Sequence, residues 1–246
     1  MQRPLFRPAL LATLLAAAPL IAPAAAMAQT VRESRFDLVL RGLKAGELVF
    51  AGTENGTNYA VTGVLRSAGL AGMVRKVRYD ATAQGAVSGN SLAPRRYEEE
   101  ADTGKRQSQS VMVWTGGVPK VELNLPERAP RPNDVSAASQ KGSVDPLTAM
   151  FSTLREVPTA AACTTNVKMY DGRRSSQLRL SSPKVEGDRI TCTGEYRRIA
   201  GFSDKEMAEK TSFSFALTYA PTAPGRVQVS EVAMDTLYGS ARLTRR

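Results

Sequence analysis

The chain has 246 residues, with 33 Lys and Arg against 23 Asp and Glu for a formal charge of +10, two cysteines and no histidine. The missing histidine excludes Ser-His-Asp and Cys-His catalysis, histidine general bases and His-containing zinc sites together. Neither a P-loop nor a G-x-G-x-x-G phosphate cradle occurs.

The first element is a leader. MQRPLFRP carries Arg3 and Arg7, the following run is rich in Ala and Leu, and it ends in Ala26-Met27-Ala28. A basic region, an apolar region and an A-x-A site together predict a secretory signal peptide over residues 1–28, cleaved after Ala28. No cysteine follows that site, so no lipoprotein anchor is expected, and no later apolar run approaches the roughly 20 residues that span a bilayer. The mature protein, residues 29–246, is expected to be soluble in the periplasm as a single β-rich domain, with a charge of about +8 once Arg3 and Arg7 are gone. Its basic residues are spread along the chain with no aromatic ladder, which argues against a nucleic-acid surface.

Strand follows strand from there. RFDLVLRG (35–42), AGELVFAG (45–52) and YAVTGVLR (59–66) alternate apolar and polar residues with a period of two, and short Gly- and Asn-rich separations make them antiparallel neighbours. The pattern recurs at 74–84, 92–102, 106–116 and 118–125, and again at 165–172, 175–182, 189–199, 211–219, 226–234 and 237–244. About a dozen antiparallel strands in one chain must split into two sheets or curl. The expected fold is mainly β, a large curled antiparallel sheet or incomplete barrel.

One segment breaks the rhythm. In DPLTAMFSTLR, Leu147, Met150, Phe151 and Leu154 fall at i, i+3, i+4 and i+7, an apolar stripe at helical spacing. Asp145 suits the N-cap, Pro146 the first helical position and Arg155 the C-terminal end of the dipole. A helix over 146–155 is too short to stand alone in water, so it is expected on the concave side of the sheet. Ahead of it, residues 126–144 read as a long, polar, unpatterned loop, either functional or a tolerated surface insertion. Ser203 and Glu206 have capping-box spacing, which predicts a helical turn within 202–210.

Cys163 and Cys192 are most economically read as a disulfide, since an exported chain meets an oxidising compartment. Buried free thiols are the alternative, and a redox pair would ordinarily show C-x-x-C spacing. Such a bond closes about 30 residues, worth roughly 3 kcal/mol. In the acidic run Glu98-Glu99-Glu100 with Asp102, alternate strand residues face apart, so the run reads as a solvated edge rather than a metal site. Trp114, the one tryptophan, either lines an apolar cavity or packs in the core.

The signal peptide, the glycines Gly42 and Gly46 at an early hairpin, the Asp-Pro-Leu helix, Cys163, the turn Tyr170 to Arg174 and Cys192 together resemble a family of bacterial periplasmic proteins classed as a domain of unknown function. Tyr170 stands where that family would have Phe. More loosely the pattern is similar to spiral open-barrel envelope proteins and to the lipoprotein-carrier fold, in which a curved sheet wraps a helix. The resemblance implies an envelope role and brings no catalytic residues. Two functions follow as expectations. One is a non-enzymatic binding or scaffold protein, without cofactor or metal, which holds an apolar or lipid-like ligand or an envelope partner against Leu147, Met150, Phe151, Leu154 and Trp114. The other is a glycan hydrolase with two carboxylates facing across a cleft.

Overall fold

The computed structural model describes residues 31–236 and 239–246. The expected leader, and Leu237 and Tyr238 at the start of the last expected strand, lie outside the described residues. In chain order the elements are β1 (Arg32–Leu40), β2 (Leu43–Glu54), β3 (Asn58–Ser67), α1 (Gly69–Val74), β4 (Arg78–Ser88), β5 (Ser91–Asp102), β6 (Gln107–Thr115) and β7 (Val118–Leu125). Then come α2 (Pro146–Leu154), β8 (Val157–Pro158), β9 (Asn166–Tyr170), β10 (Ser175–Glu186), β11 (Arg189–Ala200), α3 (Asp204–Glu209), β12 (Ser212–Ala223), β13 (Arg226–Thr236) and β14 (Gly239–Arg245).

All fourteen strands belong to one sheet, in the order β7-β6-β5-β4-β3-β2-β1-β14-β13-β12-β11-β10-β9, with β8 paired to β13 off that path. Every neighbouring pair is antiparallel, and the first and last strands pair in mid-sheet, where Leu38 faces Leu243 and Phe36 faces Arg245. The sheet does not close, because β7 and β9 are left as edges. The expected curled, open sheet is the observed one.

The apolar half of each alternation faces inward. Phe36 on β1, Leu48 and Phe50 on β2, Tyr59 and Val61 on β3, Tyr97 on β5, Met112 on β6, Leu217 and Tyr219 on β12 and Val229 on β13 form one buried core with the helix. At roughly 1.5–3 kcal/mol for each large side chain taken from water, this inner surface is the main force that holds the curl.

Residues 126–144, expected as a long unpatterned loop, fill the gap between the two sheet edges. The Arg173 guanidinium, just beyond β9, donates to Asp134 at 2.6 Å and to the Ala129 carbonyl at 2.6 Å. The Val135 amide donates to the Arg173 carbonyl at 2.9 Å. Residues Ala137–Gln140 form a 3-10 turn. Further on, the Gly142 amide donates to Gly117 in the β6–β7 turn, while Val144 bridges to Lys168 and Tyr170 beside β9. The segment is therefore tied to both edges.

Strand ends shift by a few residues throughout, and two boundaries differ for a visible reason. The strand expected from residue 74 begins at Arg78, because Gly69–Val74 turns into the short helix α1 and Ser67 Oγ accepts from the Val77 amide while donating to the Arg75 carbonyl. The expected helix to 155 ends at Leu154, with Arg155 as its extended C-cap. The helical turn near residue 205 is α3, with the reciprocal Ser203–Glu206 capping box in place.

Candidate functional site

Helix α2 is seated by residues that its sequence and its neighbours supply together. The Asp145 carboxylate accepts from the Thr148 amide at 2.7 Å and from the Thr148 hydroxyl at 2.6 Å. The Thr148 hydroxyl in turn lies 2.7 Å from that of Tyr59. Asp145 is fully buried, and burial pushes its carboxyl up to about 6 against the hydrogen bonds from Thr148. Burial likewise pushes the Tyr59 hydroxyl well above its ordinary value.

Two glycines on the sheet make room for the helix. A Cβ on Gly63 would stand 2.6 Å from Leu147 Cδ1, and one on Gly52 would clash with the Phe151 ring at 2.5 Å from its Cζ. Phe151 stacks on Tyr59 and meets Phe50 edge-on at ring separations of 6.3 and 6.0 Å. At the far end, the Arg155 guanidinium donates to Glu54 at 2.5 Å and to the Asn90 carbonyl at 2.9 Å. Arg245 points inward from β14, lies 4.5 Å over the Phe36 ring and donates to the carbonyls of Leu154 and Val229. Burial lowers its guanidinium to about 10.

The helix fills only part of the trough. Nine residues at 1.5 Å per residue reach about 13 Å, whereas strands of twelve residues run to about 40 Å. Over the other part, toward the β1–β2, β3–β4, β5–β6 and β13–β14 turns, the inner face opens as a cleft of about 460 Å³. Leu38, Leu48, Leu65, Tyr79, Ala81, Met150, Val232, Met234 and Leu243 line it. Most of these are half-buried, and Leu65 keeps 37% of its surface exposed. The polar groups at its edge are Glu99, which accepts from the Tyr97 hydroxyl at 2.7 Å, and Arg242. Burial, with Glu99 beside it, raises the Tyr97 hydroxyl well above its ordinary value.

The residues singled out by pattern divide between two places. Leu147 and Met150 border the cleft, whereas Phe151 and Leu154 face the buried core. Trp114 is in the core as well, and its indole donates to the Ser143 carbonyl at 2.9 Å, which pins the segment that leads into α2. Cys163 and Cys192 are joined, their Cα atoms 5.4 Å apart, and fasten the chain beyond α2 to β11. In the acidic run, Glu99 turns inward to the cleft while Glu98 and Glu100 are exposed on the other face. Among the described residues that line the cleft, Glu99 is the one carboxylate.

A family model described as "Protein of unknown function (DUF3108)" matches residues 35–203. The chain belongs to that family. The matched stretch takes in α2, both cysteines and the inter-edge segment of this DUF3108 protein. Val232, Met234 and Leu243, on the β13–β14 wall of the cleft, lie beyond it. No curated protein matches the chain. Among solved structures it is similar to a β-barrel-like protein of domain of unknown function DUF1849 from Brucella abortus. The identity is 13%, the TM-score is 0.47, and the alignment covers 89% of this chain and 96% of that one. Among the described residues no helix is long and apolar enough to cross a membrane, and no group of three or more Asp, Glu or Cys is placed to hold a metal ion.

Sequence reasoning missed the strand residues Leu65, Tyr79, Val232 and Met234 as cleft lining. Their alternation marks them as inward-facing, which is the available signal, but it does not tell which inward positions the helix leaves uncovered.

Proposed function

We propose that this DUF3108 protein is exported to the periplasm and acts without catalysis, holding an acyl-chain or similar lipid-like ligand in the cleft beside α2. The observation that carries the reading is the cleft itself, in which nine apolar or aromatic side chains from six strands and a helix face a shared space with few polar groups. Its volume of about 460 Å³ lies within the roughly 300–1,000 Å³ of small-molecule pockets. Each methylene drawn from water contributes about 0.8 kcal/mol, so a chain of about eight methylenes supplies roughly 6 kcal/mol before ordering costs. The leader expected over residues 1–28 and the disulfide support export.

The test is native mass spectrometry of the protein purified from periplasm, with an organic extract of the same sample and titration with the apolar fluorophore N-phenylnaphthylamine. A reproducible extra mass that extracts as lipid, and fluorophore uptake that Ala81→Phe abolishes by filling the cleft, are expected. A bare mass together with no fluorophore uptake would refute the reading.

A further inference from the structure

The turns at the two ends of the strands differ in charge and in polarity. At the end away from the cleft mouth they are Asn55-Gly56-Thr57, Gly89-Asn90, Gly116-Gly117, Gly187-Asp188 and Pro224-Gly225, without a single Lys or Arg. At the mouth, residues 41–44 (the turn and the first two residues of β2), 68–77 and 103–106 contain Arg41, Lys44, Arg75, Lys76, Lys105 and Arg106 and no acidic residue, whereas at the other end the nearest basic residues, Arg189 and Arg226, open the strands β11 and β13. Two of the three present apolar side chains outward, with Leu43 59%, Met73 83% and Val74 89% exposed. Elsewhere on the mouth rim the charges are mixed and matched, as in Arg173 with Asp134 and Arg174 with Glu206.

These three turns are fastened to one another. The Ala68 amide donates to the Ala45 carbonyl, which ties the α1 turn to the start of β2. Arg75 Nε donates to the Thr103 carbonyl at 2.6 Å, which ties it to the β5–β6 turn. Gly104 sits at φ +70°, and a Cβ there would lie 2.8 Å from the Lys76 carbonyl, so the two turns touch through backbone. Lys44 is engaged by Asp37 and Glu47, whereas Lys76, Lys105 and Arg106 are exposed. The outcome is a platform at the cleft mouth with an apolar tip at Met73-Val74 and a basic surround.

We infer that this platform docks the protein on an anionic lipid bilayer, with Met73 and Val74 entering the interface and Arg75, Lys76, Lys105 and Arg106 meeting lipid phosphates. The charge selects this occupant. An apolar tip set among cations matches a surface that offers both hydrocarbon and negative charge, the combination used by interfacial membrane anchors. The strand geometry then directs the mouth of the cleft at the membrane, since Leu65 and Tyr79, the cleft residues nearest α1 in the chain, flank the platform. The docking does not require the cleft to be occupied, so it can be tested apart from ligand binding.

The experiment is flotation of the purified mature protein with vesicles of phosphatidylcholine alone or of equal parts phosphatidylcholine and phosphatidylglycerol, at low and high salt. Binding is expected to the anionic vesicles only and to fall as salt rises. Arg75→Glu with Lys76→Glu is expected to lower partitioning by at least about 25-fold, at roughly fivefold for each basic side chain lost. Met73→Asp with Val74→Asp should also abolish binding, while leaving the urea midpoint and N-phenylnaphthylamine uptake unchanged, because these side chains are almost wholly exposed. No binding to anionic vesicles by the wild-type protein, or equal binding by both double variants, would overturn the inference. Vesicle binding by a protein that takes up no fluorophore would sustain the platform while removing the cleft reading.

Discussion

Replacement of Asp145 by Asn should change how stability depends on pH, in a direction fixed by burial. The carboxyl titrates near 6 in the fold against an ordinary value of 3.8. A carboxyl with a raised folded value binds its proton more tightly when folded, so its contribution is most favourable below about pH 4, declines as pH rises through 4 to 6, and is level above. The difference corresponds to about 3 kcal/mol. Asp37, Glu47, Asp134, Glu156, Glu195 and Glu206 are shifted the other way, held low by Arg, Lys or Ser partners or by backbone donors, so their contributions appear at lower pH, as it rises toward the ordinary carboxylate range, and are in place above it. They are common to both proteins and cancel in the comparison. Asn is as good an N-cap as Asp. Its carbonyl can accept from the Thr148 amide, its amide can donate to the Thr148 hydroxyl, and that hydroxyl can then donate to Tyr59. Urea unfolding of the disulfide-intact proteins at pH 4.5 and 7.5 is the assay. The stability of the Asp145→Asn variant relative to wild type should rise by roughly 2 kcal/mol from the lower to the higher pH, the part of the full linkage that falls between these two values. An unchanged difference would mean that Asp145 is solvated or already paired, and the argument from burial would fail.

Gly52→Ala should cost about 3 kcal/mol, at the upper end of overpacking penalties, because the Phe151 ring that it strikes is held between Phe50 and Tyr59. Gly63→Ala should cost nearer 1 kcal/mol, since a Leu147 methyl can rotate aside toward the open cleft; urea midpoints separate the two. Removing both cysteines should lower stability by roughly 3 kcal/mol, from the 29-residue separation that the bond closes, measured by the same unfolding curves. Arg245→Met should cost about 2 kcal/mol or more by leaving the Leu154 and Val229 carbonyls without their donor. Arg242→Met, at an exposed position on the same strand, should stay within about 0.5 kcal/mol in thermal melts.

What was legible in the sequence was local. The alternation of Phe36, Leu38 and Leu40 against Asp37, Val39 and Arg41 fixes a strand with one inner face, and Asp145, Pro146 and the Leu147–Leu154 stripe fix the helix, because each signal is complete within a few residues. The glycines were misleading for a physical reason. Gly52 reads as the end of a strand, yet β2 continues to Glu54, and the missing side chain is a hollow for Phe151, about a hundred residues away in the chain. Helix α1 has too few residues to show a period. Residues 126–144 read only as an unpatterned loop, because their order comes from distant partners, as between Asp134 and Arg173, and not from any periodic face.

The connectivity explains why the helix lies inside. Pairing β1 with β14 places the first and last described strands in mid-sheet, so the two edges left over, β7 and β9, are joined by a single internal stretch, residues 126–165. That stretch must cross the gap, and any apolar element it carries is delivered to the concave side at the point of crossing. The tethers fall at both ends of the crossing, Arg173 with Asp134 first and Gly117 with Gly142 last, so the chain can enter the trough only at Ser143 and Val144, beside the Trp114 indole. From there a nine-residue helix, fixed by Asp145 at its start and by Arg155 and Arg245 at its end, packs against the part of the trough that its length reaches. The uncovered remainder is the cleft between Leu65 and Leu243, so the shortness of α2 is what leaves an apolar site open at the basic end of the sheet.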